Sequence, residues 1–372
     1  MTTRISEIER IKKEFGSLDQ INIQKYLKSM YSITLKPKLE PVGQMFFKPK
    51  QVWPFDMAKQ ICEPFVSMVS IDLSVGDGGF SNVSLCTIKG LKLEFVMKVI
   101  KRIDSDVDIN DVASEIRALE ATSGCKLIVD LIYAGFNKLN AYCMILEYAS
   151  GGTLFDHAYS GAKISLQAWK FIGHQLAQAL QYLHSKYLSH GDLKPNNVCL
   201  THKGNVRLFD FGKSRSIETP VVISSGTMHY NSPEIILKVE TQSSPDWWAY
   251  ACTMAEVMQK EMVFDDPDDN RKKIYKKIVK KPPVVTISDP MAQDLFQQML
   301  LKDIKLRLCK KVLEHEFFND VSNKPIFVPG KYVQPAVESE AVTCSRNDIN
   351  VEGICNRQLL IFPNKSCLER FM

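Results

Sequence analysis

The hydrophobic period of this chain changes once, and that change restricts its architecture more than any other feature. From Val69 apolar residues alternate: Val69, Ile71, Leu73 and Val75 precede a glycine cluster, and Val83 and Leu85 follow it, as in two strands joined by a flexible turn. A third strand, FVMKVI, is expected at residues 95–100, and further short strands end in AYCMILEY. Between Asp108 and Gly124 the residues Val112, Ile116 and Leu119 have helical spacing, with Gly124 placed to end that helix in a left-handed cap. Past Gly151 and Gly152 the pattern turns helical, most clearly where Ile172, Leu176, Leu180 and Leu183 form one stripe. Strands first and helices later imply an α+β protein of two lobes, a small β-rich one followed by a larger helical one.

The chain has 372 residues, enough for that body and for extensions at both ends. Upstream, Ile5, Ile8, Ile11 and Phe15 recur at helical spacing and Leu18 to Met30 continue in the same manner, so two short amphipathic helices are expected. Pro37, Pro41, Pro49 and Pro54 among Lys36, Lys38, Lys48 and Lys50 then read as an irregular connector. Residues 1–64 hold 11 Lys/Arg against 7 Asp/Glu, so four of the five net positive charges lie there. That extension is expected to brace the small lobe, because its isoleucines need burial. Past residue 320 no strong period remains, but the apolar pieces IFVPGKYV and QLLIFP can lie back on the body.

With 45% hydrophobic and 24% charged residues, a largely disordered or membrane-embedded chain is excluded. The ten cysteines stand more than ten residues apart, without the paired spacing of zinc or redox sites, and read as reduced, buried thiols. The N-terminus MTTRISEIER is charged where a signal peptide is apolar, so an intracellular location, cytoplasm or nucleus, is expected, with no membrane partner. A weak net charge and few interleaved aromatic residues in the basic extension argue against nucleic-acid binding.

Chemistry begins at the glycine cluster, Gly76-Asp77-Gly78-Gly79-Phe80-Ser81-Asn82-Val83, where backbone N–H groups can approach phosphates without a Cβ in the way. Alone, such a hairpin is more often only a turn. Lys98 lies mid-strand between apolar neighbours, an awkward place for a cation unless an anion or a carboxylate meets it. Glu115, four residues before Leu119 on the next helix, is on the side that can meet it. The decisive stretch is His190-Gly191-Asp192-Leu193-Lys194-Pro195-Asn196-Asn197, followed by Asp210-Phe211-Gly212. A carboxylate to accept a hydroxyl proton, a cation for a moving phosphoryl group and an oxygen-bearing pair for magnesium are what Mg-ATP phosphoryl transfer requires.

On these residues the chain resembles the eukaryotic protein kinases from about residue 67 to 320. Gly226, Thr227, Tyr230, Ser232, Pro233 and Glu234 resemble the end of an activation segment. Asp246 and Trp248 resemble the buried helix that anchors the catalytic loop, Arg307 the partner of Glu234, and His315 and Phe317 the closing helix. The resemblance implies a bilobal kinase domain at 65–320, with lobes at 65–147 and 148–320, between an N-terminal extension at 1–64 and a tail at 321–372. It implies ATP and Mg2+ as cofactors. Val75, Gly76, Gly78, Gly79, Phe80, Val83, Val96, Glu147 and Cys199 would contact the nucleotide, while Lys98, held by Glu115, would grip its α and β phosphates. Asn197 and Asp210 would hold the metal, and Asp192 would be the catalytic base, assisted by Lys194 and Thr227. Lys194 and Thr227 match the serine/threonine type, so protein substrates with Ser or Thr acceptors are expected.

Several positions depart from the family pattern. Gly191 replaces the arginine that normally meets a phosphate on the activation segment, so activity is expected to depend little on phosphorylation at Thr219, Ser224 or Ser225. Val96 enlarges one wall of the adenine slot and Cys199 shrinks the other, Ser81 replaces the third glycine of the phosphate loop, and Thr153 replaces a glutamate common in kinases of basic substrates. The first rival is a pseudokinase, a nucleotide-binding scaffold without turnover, which the intact Lys98, Glu115, Asp192, Asn197 and Asp210 oppose; a small-molecule kinase on a related fold, opposed by Ser232, Pro233, Glu234 and Arg307, ranks below it. The substrate, the upstream regulator and the oligomeric state are not written in these motifs.

Overall fold

The structure, a computed structural model, describes residues 65–77, 81–89, 91, 93–100, 106–137, 141–161, 163–218, 220, 226–309 and 311–332. The two expected N-terminal helices, Gly78, Gly79 and Phe80, the positions Thr219, Ser224 and Ser225, and the QLLIFP piece lie outside these residues. The described chain forms two compact units. One takes the residues up to Ile116 together with Asp130–Tyr148, and the other takes Arg117–Val129 and the residues from Ala149 onward.

The first unit is the β-rich N-lobe. Its sheet has five strands, β1 (Val69–Asp77), β2 (Ser81–Ile88), β3 (Glu94–Ile100), β4 (Leu131–Phe136) and β5 (Tyr142–Glu147), in the order β1-β2-β3-β5-β4 with every neighbouring pair antiparallel. Cross-strand partners share a face, so Val83, Lys98 and Met144 lie on one side, and Met97, Ile145 and Tyr133 on the other. The alternation expected along β1 does not hold. Ile71 pairs with Cys86 and Leu73 with Leu85, so Asp72 is an extra residue, a bulge that reverses the strand's parity. Ile71 thereby joins the face of Met97, and Leu73 that of Val96 and Lys98.

Helix α1 (Asp106–Ala121) buries Val112, Ile116 and Leu119, the stripe that their spacing predicts, and Ile109 besides. The Thr122 N–H and hydroxyl both donate to the Ala118 carbonyl and close its last turn. Gly124 takes the left-handed conformation, φ +87°, but only after an intervening turn.

The second unit is the helical C-lobe. Thr153 caps α2 (Leu154–Tyr159) in a reciprocal box with Asp156, and Ser165 caps α3 (Leu166–Ser185). On α3 the stripe Ile172, Leu176, Leu180 and Leu183 is at most 1% exposed, which stabilises the lobe by roughly 1.5–3 kcal/mol per side chain. Two small ladders follow: β6 (Leu188–Ser189) with β9 (Arg215–Ser216), and β7 (Val198–Leu200) with β8 (Val206–Leu208). After the single turn α4 (Pro233–Ile236) comes α5 (Ser244–Gln259), apolar on nearly every side and buried from Pro245 to Val257, hence a core helix. Asn270 caps α6 (Arg271–Lys280) and Asp289 caps α7 (Pro290–Met299).

The closing helix expected at His315 and Phe317 is instead two short 3-10 turns, Val312–Glu314 and Glu316–Phe318. His315 separates them because its backbone is extended, and its ring accepts the Phe317 N–H, which caps the second turn. The chain then runs back along the lobe. Tyr332 N–H donates to the Ser150 carbonyl, the Phe327 ring meets that of His157, and Tyr332 covers Gly152, whose φ is +82°.

Candidate active site

On the N-lobe, Lys98 sits on the α1 face of β3. Its ammonium donates to both Glu115 carboxylate oxygens, at 2.9 and 2.8 Å. A buried glutamate is costly unless paired, and the half-buried lysine meets that need. Val83 and Val96, on the same face as Lys98, are also half-buried, whereas Phe95, Met97 and Val99 on the other are buried. Along β3, the half-buried side chains at 96 and 98 are therefore on the lysine's side. Strand β1 supplies the backbone of Val75 and Gly76. Glu147, at the end of β5, accepts the Asp130 N–H with its carboxylate, at 3.3 Å.

In the C-lobe, β6 leads into a loop held from beneath by α5. The Asp246 carboxylate accepts the backbone N–H groups of His190 and Gly191 at 2.8 and 3.0 Å and the ring of His184 at 2.8 Å. Burial works to raise the Asp246 carboxyl, but its bond with His184 and that with the Gly191 N–H hold it below the usual carboxylate range. The buried His190 ring lies against Phe211. Its Nδ1 accepts the Asp192 N–H and its Nε2 is 3.0 Å from the Phe209 carbonyl, which fixes Nε2 as the protonated nitrogen. Gly191 has φ +81°, and a Cβ there would overlap the Lys213 carbonyl oxygen.

Three residues converge on Asp192, namely Thr227, Lys194 and Asn197. Its Oδ1 accepts the Thr227 N–H at 2.7 Å and hydroxyl at 2.8 Å, and its Oδ2 accepts Lys194 Nζ at 2.7 Å. Lys194 Nζ also donates to the Thr227 hydroxyl, at 2.9 Å, closing a triangle. The Asn197 amide nitrogen donates to the Asp192 carbonyl at 2.8 Å, with a longer contact of 3.4 Å to Oδ2. The Phe209 N–H donates to the Asn197 carbonyl, and the β7–β8 pairing of Val198 with Leu208 fixes that approach. Asp210 follows directly, with φ +64°, a conformation unusual for a residue with a Cβ. Asn197 and Asp210 offer two hard oxygen donors, which suits magnesium, an ion that keeps waters and binds phosphates besides one or two side chains. Cys199, on β7, is a half-buried thiol that burial pushes up to about 12, with the charge of Asp156 adding to it, so it behaves as a small apolar residue.

The segment that ends in Glu234 is fastened from below. Arg307 forks onto the Glu234 carboxylate at 2.6 and 2.9 Å, both side chains are buried, and the Ser244 hydroxyl adds a bond of 3.0 Å. The Tyr230 and Tyr159 hydroxyls donate to Glu256, whose carboxyl burial holds above its usual range against those two bonds. Spacing alone did not reveal His184, the third partner of Asp246, nor Lys302, whose ammonium lies over the Trp248 and Phe264 rings at 4.8 and 4.4 Å. His184 follows Leu183 on α3 and Lys302 follows Leu301 just past the end of α7, and neither has a spacing that marks it.

A family model described as the protein kinase domain matches residues 70–318. The chain is 30% identical over 287 residues to the RAC-beta serine/threonine-protein kinase of Rattus norvegicus, covering 72% of this chain and 58% of that protein. It is 29% identical over 265 residues to the protein kinase C zeta type of Oryctolagus cuniculus, covering 66% and 45%, and 28% identical over 334 residues to the maternal embryonic leucine zipper kinase of Xenopus tropicalis, covering 83% and 50%. The matches therefore span about half the length of these relatives.

Proposed function

This chain belongs to the protein kinase domain family, and from that premise we propose that it transfers the γ-phosphoryl group of Mg-ATP to serine and threonine hydroxyls of protein substrates. The observation that supports this reading most is the closed arrangement of Asp192, Lys194, Thr227 and Asn197. A carboxylate there is held by donors on both oxygens and oriented to within a hydrogen bond's tolerance.

In this reading Asp192 accepts the proton of the acceptor hydroxyl as its oxygen bonds to phosphorus and the bond from phosphorus to the ADP oxygen breaks. Lys194 offsets the negative charge on the transferring group, and Thr227 keeps both side chains in place. Asn197 and Asp210 hold magnesium, which neutralises phosphate charge when bound. On the N-lobe, Lys98 meets the α and β phosphates, and Glu115 holds its ammonium in place. In this reading residues 65–320 form the catalytic domain, and Val96, Glu147 and Cys199 are nucleotide contacts. Among the described residues, no helix is long and apolar enough to cross a membrane.

Single-turnover incubation with labelled Mg-ATP and mixed protein substrates, comparing the parent with Asp192→Ala, tests this. The parent should yield labelled phosphoserine or phosphothreonine and the variant none, while Mg-ATP raises the melting temperature of both. A melting response without product in the parent would establish the scaffold reading instead, and phosphotyrosine alone would refute the assignment to Ser and Thr.

A further inference from the structure

The bulge at Asp72 has built a groove. By turning Ile71 away from Leu73, it adds Ile71 and Val69 to the face of the sheet opposite Lys98. There they line a cavity of about 60 Å³ with Met97, Tyr133, Cys143 and Ile145. That is several times the ~10–15 Å³ needed for one water. Its polar wall groups are engaged elsewhere: the Tyr133 hydroxyl donates to the Phe136 carbonyl and the Asn137 side chain accepts the Ala141 N–H. Such a cavity suits an apolar side chain better than water. At its rim Ile71 stays 58% exposed, on a strand whose neighbours in the groove are buried.

The described chain also enters the molecule here. The Phe65 ring packs at a tilt against that of Tyr133, 4.9 Å between centroids, and Val66, the next residue, lines the groove. Sixty-four residues precede Phe65, and their first apolar stripe, Ile5, Ile8, Ile11 and Phe15, needs a partner. The 49 residues between Phe15 and Phe65 give ample reach, at ~3.3 Å per extended residue. We propose that the N-terminal extension lays the Ile5-Ile8-Ile11-Phe15 stripe into this groove, as an amphipathic helix on the outer face of the sheet. The kinase domain thereby carries its own cover for an apolar surface that β1 would otherwise offer to a second molecule.

A double-mutant cycle in the full chain tests this by thermal unfolding. Ile8→Asp and Ile71→Asp should each lower the midpoint by about 3–8 °C. The pair together should lose no more than the larger single change, because each removes the same contact. Ile71 is exposed enough for its variant to fold. As a second readout, amide exchange across residues 65–73 should speed up in Ile8→Asp and in the milder Ile8→Ser. Additive losses, or unchanged melting and exchange in the Ile8 variants, overturn the proposal. So does coupling of Ile71→Asp to Leu360→Asp instead, which would give the groove to the C-terminal tail.

Discussion

Restoring the family's arginine at Gly191 should damage this protein rather than repair it. Two costs follow from the local geometry. At φ +81° an L-residue occupies the left-handed region, at about 1–2 kcal/mol. A Cβ there would also overlap the Lys213 carbonyl oxygen and lie 3.0 Å from its carbon, so backbone must move, at a further cost of about 1–3 kcal/mol. Together these predict a fall in melting temperature of roughly 5–15 °C for a domain of this size. Activity should suffer more, because Gly191 adjoins Asp192 and its N–H is held by Asp246. Displacing the carboxylate by about 1 Å costs ~10²-fold in rate. The cost resides in the Cβ, so Gly191→Ala and Gly191→Arg should lose similar amounts in thermal unfolding and in steady-state phosphorylation of a peptide. If Gly191→Arg equalled or exceeded the parent in both assays while Gly191→Ala fell, the steric explanation would be wrong and the arginine would be a lost function.

Two further outcomes are expected. Arg307→Ala strands Glu234 in the core, so urea unfolding should show a loss of about 3–5 kcal/mol, and the paired replacement Arg307→Met with Glu234→Leu should lose less; equal losses would contradict the pairing as the cause. Burial pushes the Lys302 ammonium down from 10.5 to about 8, so between those values the unfolded chain holds a proton that the folded chain has released, and this residue's contribution to stability rises with pH. Lys302→Met should therefore raise the melting temperature at pH 7, with the gain shrinking by about pH 10; a lower melting temperature at pH 7 would mean that the contacts with the Trp248 and Phe264 rings outweigh desolvation.

What could be read from the chain and what could not divides along a physical line. Lys98, Glu115, Asp192, Asn197 and Asp210 stand out because phosphoryl transfer demands those side chains, and a charge inside an apolar strand needs a stated reason. The side chains of Lys98 and Glu115 meet, and Asn197 braces the Asp192 loop, while their contacts with a nucleotide stay a proposal. The α3 stripe was legible because burial imposes its period. Hidden features depend on register and dihedral angle, which residue types alone do not encode. The Asp72 bulge moves Ile71 to the other face although its neighbours alternate without interruption. Gly191 looks like a simple loss of arginine, yet its conformation and the nearby Lys213 carbonyl leave no room for one. The turns around His315 keep the buried Phe317 that a helix there would have supplied, with a different backbone.

The stretch from Pro325 to Tyr332 has a practical meaning for anyone dissecting the molecule. Phe327 presses its carbonyl so close to Gly204 that no larger residue fits there, and Tyr332 roofs Gly152 just ahead of the α2 cap. A fragment ended at residue 320, where the motifs stop, would strip both glycines of their cover and leave the His157 ring bare on one side. A cut that keeps these contacts falls no earlier than Tyr332, twelve residues beyond residue 320.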